Sequence, residues 1–372
     1  MKSPLLILFI LIFTGLSHSA FATVVDNLYS ATVIVQDQSI EERQRGFQKA
    51  LAQVLTKTTG IEDIGRQSSL TSTMAKAADY MDKYAYLPQE RRLSQGANSP
   101  SAGIPLLVSF PKVIINNLMR KLALPIWPAD RSELLVWVVE KTSTTYRFID
   151  NGEQLPPQFR QAFDQRGLAY QLPLYDLRDK MTLSPMAAWS LNTQELGDAA
   201  KRYGHDSWLL LRYQRLTNGR IQGSWLLSNR QGAFAGKKAL VHNLQTASTP
   251  TFFSLSIHQA IGDLAQTMSY LSKKQSSAFP LLVENITDYT AFSELNGFLN
   301  TLEIVNSVNV RTINKDSVLF DLRTEGKLQV LHKALRKEPR LARVTEIMSQ
   351  TATDPAQAQT PLQAHFRWRA TY

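Results

Sequence analysis

Leu134-Leu135-Val136-Trp137-Val138-Val139 is an unbroken apolar run of strand length. A strand with one wet face would alternate apolar and polar residues, so an unbroken run reads as a strand covered on both sides. Downstream, a helical pattern over 157–166 stops at Gly167, and a short strand reaches Leu174. A second helix over 193–203 stops at Gly204, and Trp208-Leu209-Leu210-Leu211 supplies another buried strand. This β-α-β-α-β order predicts a partly parallel sheet with helices packed on it. Two more strands, near 220–227 and 233–241, form a hairpin around Asn229-Arg230-Gln231-Gly232, and a helix over 251–271 closes an α/β unit at 129–273.

Upstream, residues 24–35 read as a strand and the stretch after Ser39 as a helix. Ser39 is its N-cap, with Glu42 as capping-box partner, while Gly60 ends it. Phe47, Ala50, Leu51, Val54 and Leu55 form its apolar stripe. A second helix over 68–79, strands near 80–87 and 104–110, and a helix opened by Pro111 complete a small α+β unit at 23–128. Beyond a polar linker at 272–277, residues 278–348 run strand, helix, strand, strand, helix, strand, which is the ferredoxin-like order. The expected fold is therefore a multidomain α+β and α/β chain. Its last segment, 349–372, is expected to be a flexible tail, with Phe366-Arg367-Trp368-Arg369 either an added edge strand or free.

The N-terminus carries an export signature. Lys2 precedes an almost wholly apolar run at 5–16, and Ala20-Phe21-Ala22 presents small residues where a signal peptidase reads, which predicts cleavage after Ala22. The run is too short for the roughly 20 residues of a membrane-spanning helix. The chain contains no Cys, so lipid attachment at Cys, disulfides, thiol catalysis and Cys-ligated metals are excluded. The formal charge of +10 becomes +9 once Lys2 is removed. In an exported protein that balance points to anionic lipid, cell-wall polymer or an acidic protein face, rather than nucleic acid. A basic surface with no particular partner is the alternative.

Chemical motifs are sparse. His205, His242, His258, His332 and His365 have no helical partner histidine three or four residues away. No Gly-x-Ser-x-Gly elbow occurs. Gly232-Ala233-Phe234-Ala235-Gly236-Lys237-Lys238 is one residue short of a phosphate loop and lacks the hydroxyl residue after Lys. Asp176 and Asp179, flanking Arg178 after a buried strand, are ligand or acid–base candidates. The preferred reading is a loop whose Asp residues cap the following segment and pair with Arg178. Lys327, Lys333, Arg336, Lys337, Arg340 and Arg343 mark a basic helix region with Glu338 as its one acid. Leu328, Leu331, Ala334 and Leu335 form its buried side. That region suits an anionic surface or partner, or is a solvated outer face.

Three segments carry a family resemblance: Val25-Asp26-Asn27-Leu28-Tyr29-Ser30-Ala31, the helix end Ala50-Leu51-Ala52-Gln53-Val54-Leu55-Thr56-Lys57-Thr58-Thr59-Gly60, and Leu172-Pro173-Leu174-Tyr175-Asp176-Leu177 with Tyr203-Gly204-His205-Asp206-Ser207-Trp208-Leu209-Leu210. Together they resemble the proteobacterial family labelled domain of unknown function 2066, whose exported members have no assigned activity. The resemblance implies a periplasmic location and no catalytic residues. The element at 199–211 is also similar, at the level of fold, to envelope proteins of the curli-secretion and TolB-N type. The expected function is a non-catalytic structural or accessory part of an envelope or secretion assembly, without cofactor or metal. A small-molecule or glycan-binding module is the second reading, and a hydrolase assembled from distant residues the third.

Overall fold

The computed structural model describes residues 28–88, 103–150, 155–205, 207–229, 241–272, 277–325, 328–344 and 364–369. The signal segment, the hairpin turn at 229–232, the phosphate-loop lookalike and Lys327 lie wholly or mainly outside them. The fold is mixed α/β. Among the described residues there are ten α-helices and four sheets, with parallel and antiparallel pairs.

In the first unit, β1 (Ser30–Val35), β2 (Lys83–Tyr86) and β3 (Ile104–Ser109) pair antiparallel in the order β1-β3-β2. Helix α1 (Ile40–Thr59) packs on them through Phe47, Ala50, Leu51, Val54 and Leu55, all buried as the stripe predicts. Ser39 Oγ accepts the Glu42 N–H at 3.3 Å, but the capping box does not close. Asp37 takes the Ser39 N–H instead, and the Glu42 carboxylate turns to Gln36 N and Arg45. The helix expected over 68–79 is broken: a 3-10 turn at Ser68–Leu70, α2 (Thr71–Ala75) and another 3-10 turn at Ala77–Tyr80. Helix α3 (Lys112–Lys121) starts after Pro111 as expected.

The next strand, β4 (Pro125–Ile126), pairs with β11 (Tyr270–Leu271), so the chain enters and leaves the middle unit through one two-stranded neck. Inside it, β5 (Leu134–Lys141) runs parallel to β7 (Tyr170–Gln171) and β8 (Ser207–Arg215), while β6 (Tyr146–Phe148), β9 (Ile221–Asn229) and β10 (Val241–Thr246) add antiparallel partners. The deciding run divides by parity. Leu134, Val136 and Val138 face a core closed by α4 (Pro157–Arg166) and α8 (Thr249–Met268). Leu135, Trp137 and Val139 face a second core beneath α6 (Pro185–Trp189) and α7 (Thr193–Tyr203). The hairpin's second strand is described over Val241–Thr246, and the residues expected to begin it, 233–240, lie outside the described residues.

In the third unit, β12 (Ser277–Glu284), α9 (Tyr289–Thr301), β13 (Val305–Asn314), β14 (Ser317–Thr324), α10 (Leu328–Lys337) and β15 (Leu341–Arg343) follow the expected order. The sheet, however, reads β13-β14-β12-β16-β15, where β16 is Ala364–Trp368. The C-terminal strand is thus neither an edge nor a free tail. It is inserted between the first and last strands of the βαββαβ unit, parallel to β12 and antiparallel to β15. The physical reason is burial: Phe366 and Trp368 have no exposed face, and Asn285 Nδ2 donates to the Trp368 carbonyl at 2.9 Å. Apolar residues of the first and third units form one contiguous core cluster.

Candidate functional site

The Asp pair singled out in the sequence sits at the start of α5 (Leu177–Thr182), a helix absent from the sequence reading. Asp176 is its N-cap and accepts the Asp179 N–H at 3.0 Å. The cation that binds the pair is Arg202, from the last turn of α7, and not Arg178. Arg202 Nη1 reaches Asp176 Oδ1 and Asp179 Oδ1, each at 2.6 Å, and Nη2 reaches Asp176 Oδ2 at 2.5 Å. Asp179 Oδ2 accepts the Tyr175 N–H at 2.9 Å and the Tyr203 hydroxyl, whose oxygen in turn accepts the Leu174 N–H at 3.0 Å. Tyr175 has φ of 51°, the left-handed region, so the bond to Asp179 holds a kink that a tyrosine backbone disfavours.

Electrostatics follow the geometry. The Arg202 fork and the Asp179 N–H hold the Asp176 carboxyl well below the usual carboxylate range. Burial, with Asp179 beside it, pushes the Tyr203 hydroxyl up to about 12. Each carboxylate is thereby engaged by donors of its own chain.

This clamp inverts the helix it anchors. The one buried residue of α5 is Asp179, while Leu177 and Met181, one turn apart, are 75% and 79% exposed. Leu174 and Met186, on either side, are 65% and 62% exposed. Ordinary surface helices turn their apolar stripe inward; here the inward anchor is an aspartate and the apolar pair faces water. Helix α6 is fixed by Ser184 Oγ at its N-terminus and at its C-terminus by Arg212, which donates to the Trp189 carbonyl and stacks on its ring at 5.3 Å.

The basic region is only partly a free surface. Arg336 and Arg343 are exposed and lie near His332, which burial and then these two cations push below its ordinary value. Arg340 is tied to Glu338 at 2.6 Å and Glu294 at 2.8 Å, and lies 4.6 Å from the Trp368 ring centre. The side chains of Lys333 and Lys337 lie outside the description. Leu331 and Leu335 are buried, Ala334 is half-buried and Leu328 is exposed. Trp368 does not extend the basic surface, because it is buried; Arg367 pairs with Glu284 at 3.1 Å.

Further charged residues join the units, with no local sequence signal to find them. Arg131 is buried and spends all five N–H donors on carbonyls: Pro128 from Nε, Arg166 and Gly167 from Nη1, Lys57 and Trp127 from Nη2. The C-terminal ends of α1 and α4 thus converge on one guanidinium, where helix dipoles favour a cation. Burial lowers its pKa to about 9, leaving it charged at neutral pH. Arg166 reciprocates by donating to Gly60 O at 2.7 Å. Glu303 accepts from Tyr29 and Ala129 N and pairs with Lys112 at 3.0 Å. Glu325 takes Arg120 at 2.5 Å and the Ser272 hydroxyl. Among the described residues no cluster of three His, Asp or Glu could hold a metal ion, and no helix is long and apolar enough to cross a membrane.

Fold and site together define a mixed α/β protein whose buried charges link its parts. A family model described as "Domain of unknown function (DUF8605)" matches residues 22–128. This corrects the resemblance to domain of unknown function 2066: two of the three segments quoted for that resemblance fall inside the match to a different family. Such short apolar helix and strand ends recur among unrelated chains and do not discriminate between families. No curated protein matches the chain. A solved structure titled "Crystal structure of uncharacterized protein" is 14% identical over 36% of this chain and 90% of its own, with a TM-score of 0.16, which carries no argument.

Proposed function

We propose that this chain is an exported periplasmic protein, cleaved after Ala22, that serves as a non-catalytic structural or accessory component of a cell-envelope or secretion assembly. The observation that carries the reading is the inverted helix α5, in which Asp179, Arg202 and Tyr203 are spent on presenting Leu177 and Met181 to water. Exposed large apolar side chains held by buried polar bonds suit a surface that meets something else. The Arg131, Glu303 and Glu325 bonds support the same reading, since they fix the units against one another as a scaffold requires. Arg336 and Arg343 are the part of the basic region we assign to an anionic lipid, a cell-wall polymer or an acidic partner.

The test is affinity purification of the tagged chain from cross-linked envelopes, with N-terminal sequencing of the recovered protein. A reproducible complex and a mature N-terminus at Thr23 are expected. Recovery as a free monomer, or with Met1 retained, overturns the assembly reading or the export reading respectively.

A further inference from the structure

Resting on that assembly reading, we infer that the α5–α6 segment is the docking surface for one acidic amphipathic helix of a partner protein, which seats its apolar side chains on Leu177 and Met181.

The anchors have the right spacing. Leu177 and Met181 are four residues apart on one helix and so lie on one face, and Leu174 and Met186 flank them in the chain, all four more than 60% exposed. A partner helix with anchors at i, i+3, i+4 and i+7 offers a matching number of apolar contacts. Methionine suits such a surface because its unbranched, polarizable side chain adapts to the shape it meets.

Charge selects the occupant. Asp176 and Asp179 are turned onto Arg202, while Arg178 and Lys180, both exposed, stand between Leu177 and Met181 in sequence. The charges offered beside the apolar pair are therefore cations, and they complement Asp or Glu on the partner's rim. A bilayer fits less well. Helices that lie in a membrane surface present a long apolar face rich in Trp, Phe or Leu, whereas α5 has six residues, α6 has five, and the exposed apolar set contains no aromatic residue. A second copy of this chain also fits less well, because a two-fold contact sets the same patch against itself and would bring Arg178 and Lys180 against the same cations.

The segment is rigid enough to serve. Asp179 fixes the kink before α5, Ser184 Oγ accepts the Ala187 N–H at 3.1 Å to start α6, and Arg212 closes its end. Docking would thus order little that is not already ordered, which limits the entropic cost of association.

The experiment places a benzophenone side chain at position 177 of the full chain in its native cells, with the same probe at exposed position 315 as control. Irradiation is expected to join position 177, and not position 315, to a segment of another protein with helical apolar periodicity and acidic residues beside it. That segment, made as a peptide, is then expected to shift the methyl resonances of Met181 and Met186 in the purified chain. Its affinity should fall tenfold or more in the double variant Arg178→Glu, Lys180→Glu, and in Met181→Ser. Cross-linking to lipid, to a second copy, or to nothing beyond the control overturns the inference, as does a captured peptide whose binding ignores the two charge reversals. If the envelope complex is recovered but position 177 is not in contact with it, the docking surface falls and the assembly reading stands.

Discussion

Arg131 Nη2 donates to the Lys57 carbonyl at 2.7 Å, while Nη1 of the same guanidinium donates to Gly167 at 2.8 Å. One side chain thereby satisfies the last turns of two helices from different units, carbonyls that would otherwise be buried without donors. Replacing Arg131 by Leu is expected to destabilise the chain by about 3–5 kcal/mol, read as a lowered urea midpoint, because five carbonyls lose their partner at once. Arg131→Lys should recover little of this, since an ammonium has three donors and no planar fork. A midpoint within error of the parent for Arg131→Leu would refute the role.

Gly60 and Gly204 both end helices at positive φ, 75° and 69°. A Cβ on Gly60 would overlap Ala265, whereas one on Gly204 meets nothing within 4 Å. Gly204→Ala should cost only the left-handed backbone penalty, about 1 kcal/mol. Gly60→Ala should cost clearly more, about 3 kcal/mol, since overpacking is added to the backbone strain. Equal losses in thermal unfolding would contradict the close approach of α1 to α8.

Much of this was legible in the sequence. The run at 134–139 states its own burial, and Gly60, Gly167 and Gly204 mark helix ends with residues suited to positive φ. The order of the third unit can also be read directly. Its C-terminal strand cannot: nothing local tells Phe366-Arg367-Trp368 that its slot lies between β12 and β15. The Asp176–Asp179 spacing was visible, but Arg202 lies 26 residues beyond Asp176, and a guanidinium that distant is chosen by the fold. Helices α5 and α6 carry little periodic signal, because each is under two turns and Leu177 and Met181 reverse the usual stripe. The pair Ser184-Pro185, an N-cap followed by proline at the first helical position, was the signal that could have found α6.

Asp179 supports the α5 segment from below. Asp179→Ala leaves the Tyr175 N–H, the Tyr203 hydroxyl and part of Arg202 without their acceptor, for a loss of about 3 kcal/mol. Tyr203→Phe removes two bonds, the one to Asp179 and the one from the Leu174 N–H, and should cost about 1–2 kcal/mol. Hydrogen exchange is expected to rise over 174–190 before it rises elsewhere. Uniform exchange across the chain would argue against a local clamp. The Asp176–Arg202 contribution is present above about pH 4 and lost as pH falls, because the folded carboxyl titrates below the unfolded one.

Burial lowers the Lys57 ammonium from 10.5 to about 8, against the attraction of Asp164. Between those values the unfolded chain holds a proton that the folded chain has released, so this group's penalty on stability eases as pH rises. From pH 8 to 10 the parent should gain about 1–2 kcal/mol relative to Lys57→Met. Above pH 10 the buried hydroxyls of Tyr29, Tyr175 and Tyr270, all pushed up, begin to oppose the trend. Parallel pH profiles for parent and variant would show that Lys57 keeps its ordinary titration.

Trp368 is buried on β16, an interior strand of the third unit's sheet. Trp368→Ala should cost about 3–5 kcal/mol by cavity formation, and removal of 364–372 should expose both β12 and β15 to exchange. Unchanged protection over 277–284 after that deletion would exclude the inserted strand.

That strand also sets the order in which the molecule can be completed. Translation delivers a chain from its N-terminus, and domains fold as they emerge; here the slot beside β12 is filled by residues 364–368, which are made long after β12 itself. Until then the sheet waits with an open, apolar edge, the feature that invites pairing with the wrong chain. A premature stop just short of Trp368 would therefore act less like a trimmed loop than like a missing keystone.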